Sequence, residues 1–149
     1  QLNHERVALN AVAPIENLAD QTRDWAAENG VLDQPWVRQN LAWVQANLEV
    51  LRLLNWQQAW AISQDKLSMA DASAIKVFGS EFYVEASRKL MEILGTSGVL
   101  KVGSPGAAIE GRLERFYRMS LVLTFGGGCN EVQRDIIAMA GLRMPRARR

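Results

Sequence analysis

The stretch TFGGGCNEVQRDII, residues 124–137, gathers the residue types with the most chemical potential. Gly126, Gly127 and Gly128 permit backbone dihedrals closed to other residues, so successive N–H groups can turn toward one anion. The same glycines serve equally well as a plain bend between two helices. Asn130 follows as a candidate helix cap, and the first N–H groups of such a helix suit phosphate or ribose. Cys129 is the only cysteine. It has no partner to make it a nucleophile and reads as structural.

Other chemistries are limited by what the chain lacks. His4 is the only histidine, so a His/Cys ligand cluster is excluded and no metal is expected. No GxSxG motif occurs, which leaves a serine triad without its elbow. Glu5, in LNHERV, reads by itself as a first-turn acid that favours the helix dipole or pairs with Arg6. The arginine-rich end, RMPRARR, holds four of the nine Lys and Arg found from Lys101 onward. It carries no aromatic residue for base stacking, so it reads as a tail or subunit contact, with an anionic-ligand contact as the next reading, and no nucleic acid is expected.

These groups must be held by 149 residues, enough for one domain with a real core. Apolar residues make up 48% and the net charge is +1. No apolar run is long enough to span a membrane, and QLNHERVALN lacks the pattern of a signal peptide. A single cysteine favours a reducing, cytoplasmic setting. The first residue is Gln, which fits a chain that begins inside a longer protein.

Helical periodicity runs throughout, and no strand pattern of useful length appears. The first segment covers roughly 2–28, with Pro14 as a break or kink and Asn29–Gly30 as its turn. Pro35 opens a second helix reaching about 63, with Val37, Leu41, Val44, Leu48, Leu51 and Trp56 on its apolar face. A third runs to about 94, its apolar positions including Met69, Ile75, Phe78, Phe82, Ala86, Leu90 and Ile93. GTSGVLKVGSPGAA, 95–108, is a connection, followed by a helix with a break at Gly111 and a last one from Asn130 to about Gly141. Five tryptophans between 25 and 60 are expected in core and subunit packing. The predicted class is all-α, an up-and-down bundle of four long helices or of three long and two short ones.

Four motifs in order add a resemblance. GGGCNEVQRDIIA resembles the end of the C-terminal helical domain of the acyl-CoA dehydrogenases, which reads G-T-N/S-x-I-Q-R-x-I-I-A after a loop. LNHERVALNA, 2–11, is similar to the L-x-x-E-R start of that domain. MEILGTSGVL, 91–100, is similar to its Q-x-L-G-G-x-G connection, and RFYRMSLVLTF, 115–125, occupies the place of its R-x-x-R-D helix. The resemblance covers nearly all of residues 1–149 and implies further domains ahead of them.

The resemblance implies FAD-dependent oxidation of the Cα–Cβ bond of an acyl-CoA thioester, with an electron-transfer flavoprotein or similar partner as acceptor. It calls for a carboxylate whose pKa is raised by an apolar pocket. The family keeps that base in one of two places. One is the residue before the Gly of G-T-N/S, which is Gly127 here and cannot take a proton. The other is the Glu of L-x-x-E-R, which is Glu5. Glu5 present and Gly127 bare form a complementary pair, and Glu5 is the expected catalytic base.

The same resemblance assigns Gly128, Cys129, Asn130, Glu92, Gly95 and Thr96 to cofactor binding. Gln133 and Arg134 also match, Arg134 with a buried structural role or a ligand contact. Several positions depart from the family. Cys129 stands for Thr, Glu92 for Gln and Thr96 for Gly. Met119 follows Arg118 where Asp is usual, and TRDWAAENGVLDQP has only Arg23 as a stand-in for the family's R-x-x-F-G. A carboxylate at 92 opposes a diphosphate unless paired. The resemblance implies a homo- or hetero-oligomer, and these changes fit a heteromeric αβ or α2β2 assembly in which two subunit types divide the roles, similar to bacterial enzymes acting on steroid side-chain thioesters. The alternative is a non-catalytic partner subunit.

Overall fold

The computed structural model describes residues 11–146, and the described residues form helices and turns without a strand. Five α-helices follow in order: α1 Ala13–Glu28, α2 Pro35–Ser63, α3 Met69–Leu94, α4 Arg112–Leu123 and α5 Asn130–Ile136. A 3₁₀ turn, Gly95–Val99, follows α3, another, Ala108–Gly111, precedes α4, and a π turn, Ile137–Gly141, extends α5. Of the two layouts expected, the one with three longer and two shorter helices is therefore found.

The punctuation residues act by identifiable means. Pro14 sits in the first turn of α1, where its missing N–H costs nothing, so it opens the described helix instead of kinking it. Gly30 (φ +69°) ends α1 while Val31 N–H returns to Ala26 O at 2.9 Å, a Schellman closure. Asp65 (φ +53°) plays the same part after α2, with Lys66 N–H on Ala61 O at 2.8 Å. Ser68 caps α3 by accepting the Asp71 N–H at 3.0 Å. Gly111 (φ +70°) precedes α4, and a Cβ there would lie 2.4 Å from Val102 N, so only glycine fits against that backbone.

α3 is the central helix, contacting α1, α2, α4 and α5. Val37, Val44, Leu48 and Leu51 of α2 are fully buried, as are Ala86 and Leu90 of α3. Burying each larger aliphatic side chain contributes roughly 1.5–3 kcal/mol. The aromatic packing runs Trp43–Phe82–Tyr83–Phe116 with ring centroids 5.4–6.3 Å apart. Two expectations change. Met69 and Trp56, taken as apolar-face positions, are 52% and 65% exposed. Trp36 and Trp60 are exposed too, while Trp25 and Trp43 are half-buried against the core. Helical period alone does not say where a face runs past the end of its neighbour.

α3 also carries a polar stripe. Ser73, Lys76, Ser80, Tyr83 and Ser87 recur at spacings of three and four, and all are buried. Ser87 returns its hydroxyl to Tyr83 O at 2.7 Å. The Tyr83 hydroxyl donates to the Ala11 carbonyl, which ties the chain just ahead of α1 to the central helix. Burial pushes the Tyr83 phenol up to about 12.

Candidate functional site

The glycine loop joins α4 to α5 and is closed on itself. Gly126 N–H donates to Val122 O at 2.7 Å, Gly128 N–H to Phe125 O at 3.1 Å, and Asn130 N–H to Thr124 O at 2.9 Å. Gly127 and Gly128 have φ +72° and +104°. A side chain at Gly127 would sit in the left-handed region at a cost of roughly 1–2 kcal/mol. At Gly128 a Cβ would also lie 2.5 Å from Gln133 Nε2. The loop backbone thus matches the missing side chain at 127. Gln133 lies beneath it, 1% exposed, with its amide donating to Gly127 O at 3.4 Å.

Asn130 requires a correction. Cys129 occupies the cap of α5 with extended dihedrals, no side chain caps the helix, and Asn130 is its first residue. The Asn130 side chain turns into the bundle instead and is 4% exposed. Its Oδ1 accepts from Lys76 Nζ at 2.6 Å and from Ser80 Oγ at 3.3 Å, and its Nδ2 donates to Glu81 Oε1 at 3.1 Å. A buried ammonium needs acceptors more than an open helix end does, because water serves the latter. The side chain expected to cap α5 is committed to the interior.

Arg134 was expected in a buried structural role or a ligand contact, and its role here is structural but not buried. Its side chain is 53% exposed and clasps Glu81 through two bonds of 2.7 and 2.8 Å. That hydrogen bonding from Arg134, with further help from Asn130 and the Lys76 charge, holds the Glu81 carboxyl below its ordinary value against the opposing effect of burial. Arg134 therefore fastens α5 to α3.

The other expected cofactor residues lie at the far end of α3. Glu92, Gly95 and Thr96 are exposed. Asn40 Nδ2 donates to Glu92 Oε2 at 3.1 Å, a neutral partner that leaves the carboxylate charge in place. Ser80 beside Asn130 and Glu92 are separated by ~18 Å of helix rise. The chain therefore does not bring its two groups of expected cofactor residues together. Arg23 pairs with Asp20 at 3.0 Å on the exposed face of α1, and Arg118 with Glu114 at 2.6 Å. Met119, in place of the usual acid, is 61% exposed. Glu5 lies outside the described residues.

An FAD edge fits this chain at some positions and not at others. Gly127 and Gly128 present exposed backbone and Cys129 is half-buried beside them, while Gly95 and Thr96 offer an open second surface. Cys129 brings no hydroxyl, Asn130 brings no side chain, and Glu92 opposes a diphosphate. Among the described residues no group of three or more His, Cys, Asp or Glu is placed to hold a metal, and no helix is long and apolar enough to cross a membrane.

Sequence reasoning missed Lys76, Ser80 and Glu81. The three-four spacing of polar residues within an apolar helix was the available signal. A search for apolar periodicity passes over it.

Comparison with known proteins agrees with this fold. The family model for the acyl-CoA dehydrogenase C-terminal domain matches residues 1–142. The acyl-CoA dehydrogenase FadE26 of Mycobacterium tuberculosis is 52% identical over all of this chain and 40% of its own length. FadE29 of the same organism is 39% identical, again over all of this chain and 39% of its own. Among solved structures, the Tcur3481-Tcur3483 steroid ACAD superposes with a TM-score of 0.93 at 47% identity, covering 98% of this chain and 38% of that one. The ChsE4-ChsE5 complex from Mycobacterium tuberculosis gives 0.88 at 54% identity, covering 99% and 40%. The chain spans about 40% of the length of these curated relatives. On the family model and these identities, the chain belongs to the acyl-CoA dehydrogenase family, whose C-terminal helical domain it matches.

Proposed function

We propose that this chain is the C-terminal part of a subunit that dehydrogenates an acyl-CoA thioester between Cα and Cβ, with Glu5 as the base. The observation that carries the reading is Gly127. A side chain at one of the family's two base positions is absent, the backbone there has a left-handed φ of +72°, and a glutamate stands at the other position. Bound FAD supplies the acceptor for the β-hydride. Glu5 takes the α-proton onto a carboxylate oxygen, and the bare loop leaves room for a bulky acyl group to approach. Gly128 and Cys129 contribute backbone at the loop edge, and Gln133 braces it from below. Asn130 acts indirectly, by holding the loop.

The substrate is an acyl-CoA with a bulky, steroid-type side chain, and the assembly is a hetero-oligomer in a reducing cytoplasm with an electron-transfer flavoprotein as acceptor. Support comes from the names of the similar proteins, a steroid ACAD and a two-component complex. The ~18 Å between Asn130's neighbours and Glu92 supports assigning Glu92, Gly95 and Thr96 to a second cofactor, bound with another subunit. Three departures from the family pattern, Glu92, Thr96 and Met119, favour a second reading: a subunit that leaves chemistry to its partner.

The test uses the full-length protein with its partner subunit. Glu5→Gln is expected to abolish dye-coupled acyl-CoA oxidation while bound flavin stays at the wild-type level. Undiminished turnover would exclude Glu5 as the base and favour the non-catalytic reading.

A further inference from the structure

We infer that Lys76 is the positioning residue of the glycine loop, fixing its backbone in the form that a flavin oxygen would meet; this rests on the flavin reading above. Lys76 is 1% exposed and is the largest fully buried side chain among the described residues. An ammonium in such a place is costly unless acceptors surround it. It donates to Thr124 O at 3.2 Å, Gly128 O at 2.7 Å and Asn130 Oδ1 at 2.6 Å. These acceptors stand at the start, near the middle and at the end of residues 124–130. One cation on α3 therefore holds the whole turn.

The contact with Gly128 has a directional consequence. The described peptide bonds are all trans, so the carbonyl of Gly128 and the N–H of Cys129 point in opposite directions. With the carbonyl drawn inward to Lys76, the Cys129 N–H is turned outward. It has no acceptor among the described residues. A cation on the carbonyl also polarises the amide and strengthens its N–H as a donor. Lys76 thereby aims and sharpens one backbone donor at the exposed loop edge. The chemistry that would receive it is an acceptor oxygen, which we assign to the flavin and not to the thioester. The neighbouring network keeps the device rigid: Asn130 is shared with Ser80 and Glu81, and Glu81 is clasped by Arg134.

The test compares full-length wild type with Lys76→Met, which keeps length and removes charge. Hydrogen exchange is read on flavin-free protein, and FAD affinity by fluorescence titration without acyl-CoA. At least tenfold faster exchange confined to 124–130 is expected, with α2 unchanged and FAD affinity at least tenfold weaker. Should Lys76→Met not fold, Lys76→Met/Asn130→Leu removes both buried partners together and is the variant to measure. A uniform rise in exchange across the bundle marks a merely structural lysine and overturns the inference. So does faster loop exchange with unchanged FAD affinity, or an effect seen only on acyl-CoA affinity. If wild type binds no FAD, the flavin reading itself fails, and the exchange data still decide whether Lys76 orders the loop.

Discussion

The glycine loop makes a graded prediction about alanine substitution. At Gly30 (φ +69°) a Cβ meets nothing within 4 Å, so Gly30→Ala costs only the left-handed backbone, roughly 1–2 kcal/mol. At Gly128 (φ +104°) the same strain recurs and the Cβ lies 2.5 Å from Gln133 Nε2. That atom is the end of a side chain, so it moves, but in moving it gives up its bond to Gly127 O. Adding about 1 kcal/mol for one hydrogen bond brings Gly128→Ala to roughly 2–3 kcal/mol. At Gly111 (φ +70°) the Cβ meets Val102 N at 2.4 Å and Lys101 C at 2.6 Å, which are backbone atoms and cannot swing aside. Overpacking adds about 1–3 kcal/mol to the strain, for roughly 2–5 kcal/mol. Native-state hydrogen exchange on the full-length protein, read on peptides covering each site, measures the three local opening energies. The expected order is Gly30 below Gly128 below Gly111. A Gly128→Ala cost no greater than that of Gly30→Ala would refute the claim that Gln133 braces the loop.

Two further predictions concern pH. Glu81 has its folded pKa lowered, so its contribution is present above the ordinary carboxylate value and is lost as pH falls through the lower folded value. Glu81→Gln should therefore flatten the acid limb of the exchange protection of α5, by about 1 kcal/mol or less for so exposed an ion pair; an unchanged limb would remove Glu81 as its source. Tyr83 has its folded pKa raised to about 12, so the stability it gives is complete below the unfolded value and is lost as pH rises through about 12. Ultraviolet titration should show that phenol ionising near 12, and Tyr83→Phe should remove the step; a wild-type step near the ordinary tyrosine value would mean that the phenol is not buried as described.

Much of the architecture was legible in the sequence because its signals are local. Apolar spacing placed α2 at 35–63, Gly30 marked a turn and Gly111 a break, both of which the structure gives positive φ, and four ordered motifs pointed to the family. Local signals failed where a side chain's partner is remote. Trp56 keeps helical register but is 65% exposed. Asn130 has the type and position of a cap, but Lys76, 54 positions earlier in the chain, draws its oxygen inward. Arg134, read as a buried structural residue or a ligand contact, is a structural clasp on Glu81 and an exposed one. The sequence by itself determined the helical class and the breaks between helices, and it holds a glutamate at 5 and a bare glycine at 127. Only the tertiary structure decided that a buried cation organises the glycine loop, since the free energy of burying Lys76 depends on acceptors that folding alone brings to it.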